Sequence, residues 1–576
     1  MQSRPPAPGR DLPAQWRGRD QLGRALALVA IALCAWLPST FGAGFAFDDR
    51  EAIEHNPVVE GSLPWTAAFR QDYWEHRGAA GHFRPLATLT LRLDRALWDD
   101  GAGFHATNVW LHGLVVFAAA LFLGRITARA NHWPWIGLAV FAAHPILADS
   151  VAWISGRSSM LSALFGLLAA AALTREPDAQ GRKVFATAAS FAIGVLGTGL
   201  SMLGKEDGLI WAVALPWIAA RHGRRAFCAT ALGAACGVAV ALLLREQALG
   251  SPWIRAPHAP LAGAELWDRL QVGGRALVEA ARLVAWPAQY PPSYAGDPQL
   301  TLTAVRESPA LGLLGLAAFF IASAIALTAL MRKRSLLSAS AALALAAWIP
   351  FLQLVPSGEI FAPRFLYLPL LFAVPLIDAT LSRAFGSRKF AIAAVLIVVC
   401  SAGAWSRARV YSSRGDYRRA VLEQHPNDVG SWNDLGIAFE EQQRRDDARA
   451  AFERALEIDA HYSRAWSNLG RQALEDGNAD EARELLERAV AEGPKNPVAH
   501  VQLGRALLAL GDPSRAEASF RESTRLAPGL ARGWEGLSRA LIALDRTDEA
   551  RSALTRTLAL EPKNPRARAM LEQLGL

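Results

Sequence analysis

The sequence has only four cysteines, Cys34, Cys228, Cys236 and Cys400, and all four lie inside apolar runs. A thiol in that setting behaves as a small hydrophobe, so neither a disulfide framework nor a zinc centre is indicated. Histidines at the tight HxxxH spacing of a metal site are also missing. Charge is absent just as selectively: residues 25–47 carry none until Asp48. At about 1.5 Å per residue that run crosses a hydrocarbon core of about 30 Å. It is longer than the roughly 7–15 apolar residues of a secretory signal and lacks a convincing small-x-small cleavage site. Despite Arg10, Arg17, Arg19 and Arg24 before it, the run reads as a retained first span. The formal net charge of +8 does not point to nucleic acid, because the basic residues gather at the ends of apolar runs. No inverted repeat is visible, which argues against a transporter.

What is present divides the chain at about Trp405. Beyond it, Trp432, Trp466, His500 and Trp534 recur every 34 residues, each followed three positions later by Leu435, Leu469, Leu503 or Leu537. Ala448, Ala482, Ala516 and Ala550 keep the interval, as do Phe452, Leu486, Phe520 and Leu554. Pro426, Pro494, Pro528 and Pro562 punctuate it, with Ala460 in the vacant slot. This is the tetratricopeptide pattern of stacked helix pairs, here four repeats with a closing helix from Arg566 to Leu576.

Before the seam, further spans are expected at about 105–125, 133–153, 158–174, 184–203, 207–220, 226–244, 309–330, 335–356, 365–382 and 389–405. Arg125 and Arg129, Arg175 with Arg182 and Lys183, Arg221 with Arg224 and Arg225, Arg332-Lys333-Arg334, and Arg383 with Arg388 and Lys389 mark alternate ends. By the positive-inside rule these share the cytoplasmic side with the N-terminus, and eleven spans leave the repeats outside. Segment 270–290, with Arg275, Glu279 and Arg282 on one helical face, is assigned to the interface, lying flat or re-entering. The expected architecture is all-α: a cytoplasmic tail at 1–24, a membrane domain of about eleven spans at 25–410, a linker at 411–425 and a tetratricopeptide solenoid at 426–576.

The first outer loop, 45–104, is the longest polar stretch between spans. It carries Phe47-Asp48-Asp49-Arg50, Asn56-Pro57 and His82-Phe83-Arg84-Pro85-Leu86. Asp48 and Asp49 either end a helix or place a carboxylate just outside the bilayer, and in extended chain only one of such a pair points into a given cavity. At the same expected level lie His105, Asn108 and His112, spaced as one helix stripe, His144-Pro145 with Asp149, and Arg157. Such groups face a bundle interior or a cavity, and any one of the histidines serves equally as an interhelical hydrogen bond. Lys205-Glu206-Asp207 separates two short apolar runs, and Arg364 with Tyr367 opens a later span. Each marks a helix end; together they put cations where a lipid phosphate would lie, and an arginine fork can bind two phosphate oxygens.

Read in order, several strings carry a resemblance: Phe47-Asp48-Asp49, Ala52-Ile53, Asn56-Pro57-Val58, Phe83-Arg84-Pro85-Leu86, His105 with Asn108-Val109 and Leu111-His112, His144-Pro145, Ser155-Gly156-Arg157, Lys205-Glu206 and Leu366-Tyr367-Leu368-Pro369. With the repeats behind them they resemble the transmembrane-and-tetratricopeptide O-mannosyltransferases of the endoplasmic reticulum and their bacterial relatives, in the GT-C class of lipid-linked glycosyltransferases. No matching motif falls in 245–305, and Pro363 stands before Arg364 where an acidic residue is expected.

The resemblance implies inverting transfer of a hexose such as mannose from a polyprenyl phosphate to a protein hydroxyl, outside the cytoplasm. It maps the active carboxylates onto Asp48 and Asp49. Arg84, Lys205 and Arg364 become candidates for holding phosphate, with Tyr367, His82, His105, His144 and Arg157 for sugar or phosphate, and Glu206 and Glu359 at the margin. Metal dependence stays open at this point, because an Asp pair can serve as a base or as ligands to a divalent cation. The implied partners are the lipid-linked donor, a protein acceptor, membrane lipid and a protein held in the repeat groove. The implied setting is a bacterial inner membrane with the repeats periplasmic. The competing reading is a non-catalytic membrane anchor that presents the repeats to an envelope assembly.

Overall fold

The computed structural model describes residues 14–41, 44–46, 49–73, 81–127, 133–174, 187–251, 261, 263–287, 290, 300–333, 335–354, 360–561 and 564–574. They form helices and connecting turns in two compact units, Met1–Tyr417 and Arg418–Leu576.

In the first unit seven stretches are long and apolar enough to cross a membrane: Gln21–Thr40, Gly101–Thr127, Ile154–Leu173, Thr187–Gly204, Arg224–Leu249, Ala310–Arg332 and Pro363–Val410. The last holds two helices, Tyr367–Phe385 and Lys389–Val410. The protein is an integral membrane protein. Three of the eleven expected spans differ from the long helices anticipated for them, and in two of them a proline follows the end of the helix. The 133–153 run ends as Trp135–Ala143 because Pro145 forces His144 into extended backbone. The 207–220 run begins as a 3-10 turn, Glu206–Ile210, and continues as Trp211–Ala219 around Pro216. The 335–356 run gives only Leu336–Ala346 before a turn at Ile349–Leu352 that contains Pro350. Eleven residues reach about 16 Å at the α-helical rise, too short for the hydrocarbon core.

Residues 270–285 of the 270–290 segment belong to the amphipathic helix Leu266–Ala285. It packs backbone to backbone on Ala310–Lys333: a Cβ on Gly274 would stand 2.1 Å from the Gly312 carbonyl oxygen. Arg275 is buried there and donates to the carbonyls of Ala304, at 2.8 Å, and Ser308.

The second unit pairs Val429–Glu441 with Arg445–Ile458, Ser463–Glu475 with Ala479–Glu492, Pro497–Ala509 with Pro513–Leu526, and Ala531–Ala543 with Thr547–Leu560; Pro565–Gln573 follows. The residues expected at leucine, alanine and phenylalanine positions form its core, Ala448, Ala482, Ala516, Phe452, Leu486 and Phe520 being fully buried. The 34-residue Trp/His register has a polar cause. The ring nitrogens of Trp432, Trp466, His500 and Trp534 bond the carbonyls of Pro426, Ala460, Pro494 and Pro528 at 2.8–3.0 Å, each six residues earlier. His500 replaces a tryptophan because an imidazole N–H makes the same bond. Residues 411–425, expected as a linker, include the helix Arg414–Gln424.

Candidate functional site

Asp49 opens the short helix Asp49–Ile53 and is fully buried. Its Oδ1 accepts two bonds from Ser155, one from the backbone N–H and one from the hydroxyl, both at 2.9 Å. Its Oδ2 accepts from the Ala46 N–H at 3.3 Å. Ser155 can present both donors because Gly156 lets the turn Ile154–Arg157 close on the preceding chain: a Cβ there would lie 2.0 Å from the Asp149 carbonyl oxygen. Asp48 and Glu359 lie outside the described residues.

The loop that carries His82 and Arg84 is tied down beside Asp49. Asp72 Oδ2 accepts from the N–H groups of Gly81, at 2.5 Å, and His82, at 3.0 Å, while the Tyr73 N–H donates to the His82 carbonyl at 2.7 Å. Burial pushes the Tyr73 phenol up to about 12, with Ser155, Arg84 and Arg157 opposing the shift and Asp49 adding to it. Tyr73 thus joins the Asp49 side of the site to Arg84, whose guanidinium lies 5.9 Å from the Tyr73 ring centre.

Arg84 Nε is 3.9 Å from Glu206 Oε2, and Arg245 Nη1 is 3.2 Å from Glu206 Oε1; Arg245 also donates to the Gly81 carbonyl at 2.5 Å. Burial works against the Glu206 charge, yet Arg84, His82 and Arg245 together hold its carboxyl down to about 2. Lys205 is buried, with Nζ 2.7 Å from Ser159 Oγ, 3.0 Å from Asp207 Oδ2 and 5.2 Å from the Phe365 ring centre. Burial pushes its ammonium below the ordinary lysine range; Asp207 resists, while Arg84 and Arg364 add to the shift. Arg364 lies over the rings of Trp153, at 4.8 Å, and Phe365, at 5.5 Å, and its carbonyl accepts from Ser159 Oγ at 3.4 Å.

The structure therefore gathers Asp49, His82, Arg84, Lys205, Glu206 and Arg364 around Tyr73, Ser155 and Ser159. Among the described residues, Arg84, Lys205, Arg245 and Arg364 cluster with the carboxylates Glu206 and Asp207 in the part of the site around Lys205. A partly buried cluster of cations can meet an anionic ligand.

Other candidates are engaged within the fold. Arg157 is fully buried, 2.7 Å from Asp94 Oδ2, and donates to the carbonyls of Ile154 and Phe104 at 3.3 and 3.2 Å. His105 Nε2 lies 3.1 Å from the Gly44 carbonyl. His144 Nδ1 accepts from the Ile146 N–H at 3.3 Å, so Nε2 is the donor to the Val284 carbonyl at 3.2 Å. Tyr367 donates its hydroxyl to His112 Nδ1 at 2.8 Å, and His112 Nε2 reaches the Ala142 carbonyl at 3.0 Å. Among the described residues, no three or more His, Cys, Asp or Glu side chains converge as a metal-binding group.

Tyr73, Ser159 and Arg245 were not legible as members of the site. Arg245 reads as the first charge after an apolar run, and only the folded helix Arg224–Leu249 brings it to Glu206.

The molecule is an all-helical integral membrane protein ending in tetratricopeptide repeats. Family models described as "Tetratricopeptide repeat" match residues 406–463, 433–497, 473–534 and 512–574. The chain is similar to protein O-mannosyl-transferases. It is 33% identical over 185 residues to TMTC2 of Homo sapiens, covering 31% of this chain and 22% of that protein. It is 38% identical over 137 residues to Tmtc2 of Drosophila melanogaster, covering 23% and 14%, and 28% identical over 226 residues to F38B6.6 of Caenorhabditis elegans, covering 37% and 30%. The chain thus matches less than a third of the length of each of these relatives.

Proposed function

We propose that the protein is a membrane glycosyltransferase that moves a hexose from a polyprenyl phosphate to a hydroxyl of a protein acceptor on the outer face of the membrane. The observation that carries this reading is the cluster of cations at Arg84, Lys205, Arg245 and Arg364, joined through Tyr73 and Ser155 to the Asp49 carboxylate. Similarity to named O-mannosyl-transferases supports mannose as the sugar.

In this reading the acceptor oxygen attacks the anomeric carbon from the face opposite the phosphate, and the configuration inverts. The carbon–oxygen bond to phosphate breaks with its electron pair on the leaving oxygen. Asp49, held at Oδ1 by Ser155 and at Oδ2 by the Ala46 N–H, is the carboxylate that takes the hydroxyl proton in this reading. Lys205, Arg84 and Arg364 meet the charge that grows on the departing phosphate, which needs no strong acid to leave. The repeats hold the acceptor or a partner protein outside the cytoplasm.

The test is transfer of radiolabelled hexose from polyprenyl phosphate to envelope protein by the purified protein in lipid, comparing wild type with Asp49→Asn. Label reaching protein only with the wild type supports the reading. Absence of transfer from folded wild type with every donor overturns it.

A further inference from the structure

The repeat unit carries an arginine ladder. Arg471, Arg505 and Arg539 occupy one position of successive repeats, 34 residues apart, where the first repeat has Ile437. All three belong to the first helices of their pairs, Ser463–Glu475, Pro497–Ala509 and Ala531–Ala543. Those first helices pack directly on one another, whereas successive second helices have at most marginal contact. The stack therefore curves with its first helices on the concave side. Gly504 faces its own second helix, where a Cβ would meet the Phe520 ring at 2.7 Å, while the next residue, Arg505, is turned away from that contact and exposed; at the same register Arg471 reaches Glu440 on the preceding first helix.

The ladder is neutralised at one end and open at the other. Arg471 is paired with Glu440 and, at 3.1 Å, with Glu475. Arg505 has Gln502 Oε1 at 2.8 Å, and among the described residues no carboxylate lies within ion-pair distance of Arg505, Arg532 or Arg539, all exposed. The nearby carboxylate Glu535 is taken by Asn564, at 3.2 Å, and Arg566, at 4.0 Å. Partial desolvation in the groove, with the charges of Arg539, Arg471 and Arg532 nearby, holds the guanidinium of the half-exposed Arg505 below the usual arginine range against the pull of Glu475; these cations stand close to one another.

The geometry points to an acidic polypeptide segment as the ligand of this groove, seated on Arg505, Arg532 and Arg539. Packed helices stand about 8–10 Å apart. A polyproline II chain rises about 3.1 Å per residue and returns to the same side every third residue, about 9 Å on. A segment with Asp or Glu at every third position sets one carboxylate on each rung, and each arginine fork can take a carboxylate bidentately. A concave face admits such a chain while a flat bilayer cannot follow it inward. This inference stands whether or not the membrane unit transfers sugar.

The test uses the full chain in nanodiscs of neutral lipid and fluorescence anisotropy of a labelled peptide repeating Glu-Pro-Pro, against one repeating Gln-Pro-Pro. The acidic peptide binds, weakening as salt rises, and the double variant Arg505→Gln, Arg539→Gln loses about tenfold or more in affinity. Arg525→Gln, on a second helix, leaves binding unchanged. Charge reversal, Arg505→Glu with Arg539→Glu, transfers binding to a peptide repeating Lys-Pro-Pro, which separates lost charge from lost fold. Equal affinity for the acidic and neutral peptides, or an acidic affinity indifferent to the double variant, overturns the proposal. So does binding of phosphatidylglycerol vesicles through these arginines without binding of the acidic peptide, which would make the face a membrane surface.

Discussion

The Arg157 guanidinium faces the Asp94 carboxylate at 2.7 Å with both side chains sealed from solvent. Thr107 Oγ1 donates to the other Asp94 oxygen at 2.8 Å, so the pair sits within a hydrogen-bonded network. Removing one partner strands a buried charge, and Arg157→Ala is expected to destabilise the membrane unit by about 3–5 kcal/mol. The measurement is thermal stability and abundance in detergent; a rise in donor KM with stability intact would instead make Arg157 a phosphate contact.

Ser155→Ala keeps the turn but removes the hydroxyl that donates to Asp49 Oδ1. A hydrogen bond to a charged group is worth about 1.5–3 kcal/mol, so kcat should fall on the order of tenfold to a hundredfold while donor KM moves little. Unchanged kcat would remove Ser155 from the positioning of Asp49.

Lys205 gives the donor step a pH dependence. Its ammonium is held below the ordinary lysine range, chiefly by burial, so the proton is present at low pH and leaves as pH rises through that lowered value. The charge that meets phosphate is lost in the same direction, and kcat/KM for donor should fall on the alkaline side. Bound phosphate stabilises the ammonium, so the fall in kcat comes at higher pH. Lys205→Arg should abolish the alkaline fall, because guanidinium stays charged there. The pH profile of the variant decides the matter.

Phe520 is fully buried and lies against Gly504 and Gly536, joining two repeats. Phe520→Ala should cost about 3–5 kcal/mol and open the repeat unit locally. Hydrogen exchange on the full chain should show lost protection across Pro497–Leu560 while the membrane helices stay protected. Trp534→Phe, which removes only the N–H to the Pro528 carbonyl, should cost about 1 kcal/mol.

The repeats were legible in the sequence because each packing position recurs at one interval, and even His500 obeys the same bond as the tryptophans. The membrane runs were legible as composition, but their breaks at Pro145 and Pro350 sit inside apolar stretches where hydropathy does not register them. Lys205, Glu206 and Arg364 stood out as charges at helix ends and Arg84 as a charge in the first outer loop, and they do come together. Arg157 and Tyr367 stood out equally, yet their partners Asp94 and His112 lie 63 and 255 residues away in the chain, and only tertiary contact reveals that their polar groups are already used.

Arg275 carries a consequence for biogenesis. Its carbonyl partners Ala304 and Ser308 are made 29 and 33 residues after it. At about 5–20 residues per second the ribosome needs a few seconds to deliver them. During that interval two of the carbonyls that meet the guanidinium on Leu266–Ala285 are not yet made. The close packing of Gly274 on Gly312 likewise forms only after Ala310–Lys333 is made, so the final seat of this helix is set by chain that follows it.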